Sequence, residues 1–152
     1  MRLLLKFSGL AIILTASYIF GQLKVTSFKN RRENLRLICM GLEGLKESVG
    51  FAGWELPFLY KKHFNCCPFL KFEGTTVKLT EKDFAVEDIE LINEFFEGAG
   101  ALDSSRECER IQLYTDLLKK QLTDAEEKLL NEGKLWKTIS FCIGLGGGIL
   151  FL

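Results

Sequence analysis

One histidine, two prolines and no net charge in 152 residues already remove several classes of function. With His63 as the lone imidazole, any site that needs two or more histidines is excluded. Lys plus Arg and Asp plus Glu number 20 each, and no basic stripe with interleaved aromatics appears, so nothing suggests a nucleic-acid surface. Two prolines beside thirteen phenylalanines are not the composition of a disordered chain. The glycines Gly144, Gly146, Gly147 and Gly148 are no phosphate loop, because no Lys-Ser/Thr follows them and the segment is apolar.

What is plentiful lies at the two ends. Residues Leu3 to Gly21 form an apolar run broken by Lys6 and small hydroxyl residues, and Thr138 to Leu152 form a second one. Between them the chain is charged and helically periodic. The pattern predicts an N-terminal transmembrane helix at 1–21, a cytoplasmic helical domain at 22–137 and a C-terminal transmembrane helix at 138–152. The first run also has the outline of a signal peptide, with Arg2 and Lys6 as its basic start. No Ala-x-Ala follows it, however, and Lys24, Lys29, Arg31, Arg32 and Arg36 downstream resist translocation. An uncleaved anchor is therefore expected. The same basic flank, with Lys128, Lys134 and Lys137 before the second run, places 22–137 in the cytoplasm and both termini across the bilayer.

The second run is short. As a helix it spans about 22 Å, against a hydrocarbon core of roughly 30 Å, so Leu135 and Trp136 are needed to extend it. A buried core helix is the alternative for this run. Its glycines favour the membrane: in a water-soluble helix each costs about 1 kcal/mol. In a bilayer, Gly144 and Gly148 form a G-x-x-x-G face that admits another helix, and Ser17 and Gly21 offer a small-residue partner on the first helix.

Inside the domain, Leu35, Ile38, Leu42, Leu45 and Val49 recur at spacings of three and four, which predicts a helix from about 30 to 49. Pro57 and Pro68 bracket a short helix at Leu56–Phe64, and Asn65 to Val77 reads as a connection with a turn at Gly74-Thr75-Thr76. Thr80 with Asp83 has the form of a capping box opening a helix that carries Phe84, Ile89, Ile92, Phe95 and Phe96. Gly98 and Gly100 end it. Ser104 to Glu107 caps a final helix of about 45 residues, with Ile111, Tyr114, Leu118, Leu122, Ala125 and Leu129 as its seam. Thr123-x-x-Glu126 is a candidate break within it. Glu107, Glu109, Glu126 and Glu127 read as a solvated face. The fold class is all-α, a small helical bundle between two membrane helices.

Candidate chemistry is thin. His63, Cys66 and Cys67 form H-x-x-C-C, but adjacent cysteines chelate one ion poorly and no second spaced pair exists. Cys39 and Cys108 read as small apolar filler. A cysteine nucleophile at Cys66 or Cys67 lacks an orienting group beside His63. No catalytic, metal or cofactor residue is assigned.

Segment order carries a resemblance. The apolar small-residue first helix, the basic leucine-periodic helix, Phe51-Ala52-Gly53-Trp54-Glu55-Leu56-Pro57, the turn Ala99-Gly100-Ala101-Leu102-Asp103 and the long charged helix ending in glycines are similar to the stage III sporulation protein AB family. The family has Thr-Pro where Trp54-Glu55 stands and Ser where Leu102 stands. The resemblance implies a non-enzymatic membrane protein of the mother cell, in the outer forespore membrane, with a domain like the F-type platform proteins of type II secretion. It implies a channel complex as setting, needed for sporulation after engulfment, and an ATPase like stage III sporulation protein AA as cytoplasmic partner. Other sporulation channel proteins, membrane lipid and a second copy of the chain are further expected partners. Phe69 and Phe72, which have no periodic core assignment, together with Leu102 and Asp103, are the candidate partner contacts, with closure of the domain core as the alternative for the two phenylalanines. A membrane-anchored regulator sensing thiols through Cys66-Cys67 is the other reading.

Overall fold

The computed structural model describes residues 2–51, 56–73, 76–80, 82–98 and 104–151. The expected turns at Gly74-Thr75 and Ala99–Asp103, and most of the Phe51–Pro57 segment, lie outside them. Among the described residues there are four helices and one hairpin: α1 (Arg2–Phe51), α2 (Leu56–His63), β1 (Leu70–Glu73), β2 (Thr76–Leu79), α3 (Val86–Glu97) and α4 (Ser104–Phe151). The chain divides into two compact units. One comprises Met1–Asn30 with Glu126–Leu152, the other Arg31–Ala125.

The long helices follow the sequence pattern. α1 contains a stretch, Ala11–Val49, long and apolar enough to cross a membrane. α4 is continuous through Thr123, whose hydroxyl donates to the Lys119 carbonyl oxygen at 3.0 Å instead of breaking the helix. The end of α4 is helical to Phe151, but among the described residues it does not register as a membrane span by itself.

Two expectations are corrected. The segment Asn65–Val77 is not simply a connection, because β1 and β2 pair antiparallel with Leu70 opposite Leu79 and Phe72 opposite Val77. These four side chains belong to the core or pack on it, while Lys71 and Lys78 are exposed. That is the alternation of a half-buried strand. The bundle therefore carries a small sheet and is not purely helical.

The next helix starts at Val86, not at Thr80. The Thr80 amide donates to the Phe69 carbonyl oxygen at 2.8 Å and so prolongs the hairpin. Asp83 then adopts φ 64°, a left-handed conformation that Asp tolerates better than most residues. The helix is capped from Asp88, whose Oδ2 accepts from the Ala85 amide at 3.0 Å.

The core of the Arg31–Ala125 unit is built from all of its elements. Leu35, Ile38, Leu42 and Leu45 of α1 meet Leu59 and Tyr60 of α2, Ile92 and Phe95 of α3, and Ile111 and Leu118 of α4. Its centre is aromatic: Phe96 packs edge-on against Phe95, Phe64 and Tyr60, with ring centroids at 5.1, 5.5 and 5.7 Å. Such pairs contribute about 0.5–1.5 kcal/mol beyond area burial. Gly41 makes room for this cluster, since a Cβ there would lie 2.5 Å from the Phe64 ring.

Candidate functional site

The described residues offer one candidate site in each unit. In the unit of Met1–Asn30 and Glu126–Leu152, α1 and α4 pack through small residues. A Cβ on Gly144 would stand 3.3 Å from Ser17 Cβ and 3.2 Å from Leu14 Cδ2. A Cβ on Gly21 would stand 2.7 Å from Ser140 Oγ and 3.6 Å from the Trp136 carbonyl oxygen. Ser17 and Gly144 are thus brought together, whereas Gly21 meets Ser140. The surroundings of Gly148 lie outside the described residues. Ser140 went unassigned above, although Ser140-x-x-x-Gly144 repeats the small-residue spacing that marks the other positions.

Beside these contacts, Trp136 stacks edge-on with Phe20 at 6.4 Å and lies under the Lys24 ammonium at 5.8 Å. Gln22 donates to the Tyr18 hydroxyl at 2.9 Å. The outer faces are apolar: Ile12, Ile19, Leu23, Phe141 and Ile143 are all more than half exposed.

In the Arg31–Ala125 unit the polar centre is a buried ion pair. Asp88 is fully buried and accepts from Arg31 Nε at 2.7 Å and Nη2 at 2.9 Å, and Nη2 also reaches Gln121 Oε1 at 3.3 Å. Hydrogen bonding to Asp88 raises the Arg31 pKa further. A second pair joins buried Glu107 to Arg110 at 2.7 Å, and Arg110 also donates to the Phe95 carbonyl oxygen at 2.8 Å. Glu107 is therefore a core residue, not part of a solvated face. Tyr60 lies nearby, and burial, aided by Glu107, pushes its hydroxyl up to about 12.

The His63-Cys66-Cys67 trio is taken up structurally. His63 Nε2 and Ser48 Oγ share a hydrogen bond at 2.7 Å, and Gly44 gives the ring its seat. Burial and then the Lys62 charge lower the His63 pKa. Cys67 is buried in the core, which pushes its thiol up to about 12, while Cys66 is exposed. Among the described residues, no group of three or more His, Cys, Asp or Glu is placed to hold a metal ion. Cys39 is likewise buried, with its thiol raised to about 11.

Phe69 and Phe72, the candidate partner contacts, both take part in the core. Phe69 is buried against Phe84 at 5.2 Å, and Phe72 is half-buried against Phe96 at 6.4 Å. They stand in the hairpin and the turn before it, where no helical period marks a core position. Leu102 and Asp103 lie outside the described residues. Large apolar side chains that do stand exposed in this unit are Met40, Phe58, Val86, Leu113 and Leu117. Leu113 and Leu117 are one turn apart on α4 and follow a helical period that shifts them off the core seam.

A family model matches residues 73–152, just over half of the chain, and its description is stage III sporulation protein AB. Comparison with curated proteins and with solved structures returned no match.

Proposed function

The chain belongs to the stage III sporulation protein AB family, which implies a sporulation-related role. With that as premise, we propose that it is a non-enzymatic platform anchored in the mother-cell membrane around the forespore. The observation that carries this reading is the uncovered apolar surface of the helix pair. Ile12, Ile19, Phe20 and Leu23 on α1, and Leu135, Ile139, Phe141 and Ile143 on α4, are exposed, which water tolerates poorly and lipid does not penalise. Residues 138–152 are read as the second membrane helix, paired with the first through Ser17–Gly144 and Gly21–Ser140.

The Arg31–Ala125 unit then lies in the cytoplasm, as the basic flanks favour. Its activity is binding: it docks a secretion-type ATPase similar to stage III sporulation protein AA and joins the other channel proteins. Leu113 and Leu117 are the proposed contacts, since they are exposed while Phe69 and Phe72 serve the core.

Deleting the gene is expected to block sporulation after engulfment while vegetative growth stays normal. The full chain in nanodiscs is expected to capture the ATPase, and a Leu113→Asp, Leu117→Asp variant to lose that capture without a lower melting temperature. Normal spore yield from the deletion strain, together with no capture by the intact chain, overturns the assignment.

A further inference from the structure

The helix pair holds a cavity of about 160 Å³, lined chiefly by Leu14, Tyr18 and Gln22 of α1 and Lys137, Phe141 and Gly144 of α4. Its polarity changes along its length. The helices run antiparallel here: Leu14 touches the position of Gly144, and Gly21 faces Ser140 and the Trp136 carbonyl oxygen. One end is therefore Leu14, Phe141 and Gly144, and the other is Gln22 and Lys137. Eight residues separate Leu14 from Gln22, about 12 Å of helix. The Tyr18 hydroxyl, hydrogen-bonded to Gln22, marks the change from apolar to polar.

Charge at the polar end has one sign. Lys24, Lys134 and Lys137 are exposed, and neither Asp nor Glu occurs before Glu33 or after Glu132. Lys24 sits over Trp136, the arrangement of an amphipathic pair at a membrane interface. We propose that the cavity is a binding site for one anionic glycerophospholipid. An acyl chain enters between Leu14, Phe141 and Gly144, and the phosphate meets the Lys137 ammonium, with Gln22 beside it. Size decides against a helix as occupant. A void near 150 Å³ accepts a benzene-sized apolar group, hence a short run of methylenes, whereas a helix is about 10 Å across. Charge decides the headgroup, because a zwitterionic lipid leaves the lysine collar uncompensated.

This inference rests on the reading that the helix pair lies in the bilayer. The full chain would be reconstituted in vesicles of equal phosphatidylglycerol and phosphatidylcholine, released in mild detergent, and weighed by native mass spectrometry. Alkaline extraction of the vesicles is scored first. One retained phospholipid per chain is expected, with phosphatidylglycerol favoured about fivefold, the preference that one lysine supplies near an anionic surface at about 1 kcal/mol. Lys137→Gln should bring that ratio close to unity while lipid is still retained. Leu14→Trp, which fills the apolar end, should release lipid of both kinds, and Leu14→Phe serves if the larger variant is not integrated. A chain removed by alkali defeats the membrane reading and this inference together. An integrated chain that keeps no lipid, an unchanged ratio in Lys137→Gln, or a lipid-free dimer mass defeats the lipid site alone.

Discussion

Asp88 ties α3 to α1 from a fully buried position. It receives both Arg31 bonds and caps α3 through the Ala85 amide. Removing one partner of a buried pair leaves the other uncompensated, so Asp88→Asn is expected to destabilise by about 3–5 kcal/mol. Urea denaturation of the full chain in detergent, followed by the circular dichroism of the helices, measures this. Gly41→Ala tests the opposite error, too much volume, and should cost about 1–3 kcal/mol because its Cβ meets the Phe64 ring. The sequence names Arg31 only as one basic residue of a membrane flank. Its second role depends on a carboxylate 57 residues away, and local pattern carries no trace of that pairing. Glu107 misleads for a related reason: its partner Arg110 is visible one turn on, but burial of both depends on Phe95 and Tyr60 from other elements.

At the scale of elements, long helical periods are easy to read and short strands are not. Leu35, Ile38, Leu42 and Leu45 announce α1, and all four are buried in the core. Leu70-Lys71-Phe72 and Val77-Lys78-Leu79 alternate too, but each strand has only four residues, and a proline and glycine nearby suggest a loop equally well. The hairpin sets Lys71 directly opposite Lys78, a like-charge pair that disfavours the sheet. Lys71→Glu should therefore stabilise the domain by about 0.2–1 kcal/mol, seen as a higher urea midpoint.

His63 gives the domain a pH response. Its folded-state pKa is lowered, chiefly by burial, so the unfolded chain takes up the proton first as pH falls below its ordinary value. Stability present at neutral pH is lost on acidification through about 6.5 and levels off below the folded-state value. No other side chain has its ordinary pKa in that window, as the chain has one histidine. Urea midpoints at pH 7.5 and 5.5 should differ less in His63→Gln than in the native chain.

For the whole molecule, the hydropathy of the two ends was the clearest signal, and one membrane-length apolar helix is present in α1. The pairing of Gly21 with Ser140 was less legible, because side-chain register between distant helices is set by packing and not by either segment alone. It separates two glycines that composition treats alike. Gly146 has nothing within 4 Å of an added Cβ, so Gly146→Ala should preserve the melting temperature in micelles or raise it. Gly21→Ala, 2.7 Å from Ser140 Oγ, should lower it. The proposed orientation has its own check in the two adjacent thiols. A membrane-impermeant maleimide should leave Cys66 unmodified in intact cells and label it after lysis, with buried Cys67 reacting far more slowly. Labelling before lysis reverses the orientation.

Leu35, Leu42 and Leu45 share their core with Ile111 and Leu118, which the ribosome delivers late. At roughly 5–20 residues per second, the interval of about 75 residues lasts about 4–15 s. During it, the leucine stripe of α1 gains cover from α2, the hairpin and α3 in turn, but its α4 side stays open. Synthesis thus passes through a stage with an incomplete core, which closes only when α4 arrives. Nascent chains stalled near Gly98 should be cut readily within residues 31–51 by added protease, while chains whose residues up to Ala125 have cleared the exit tunnel should resist.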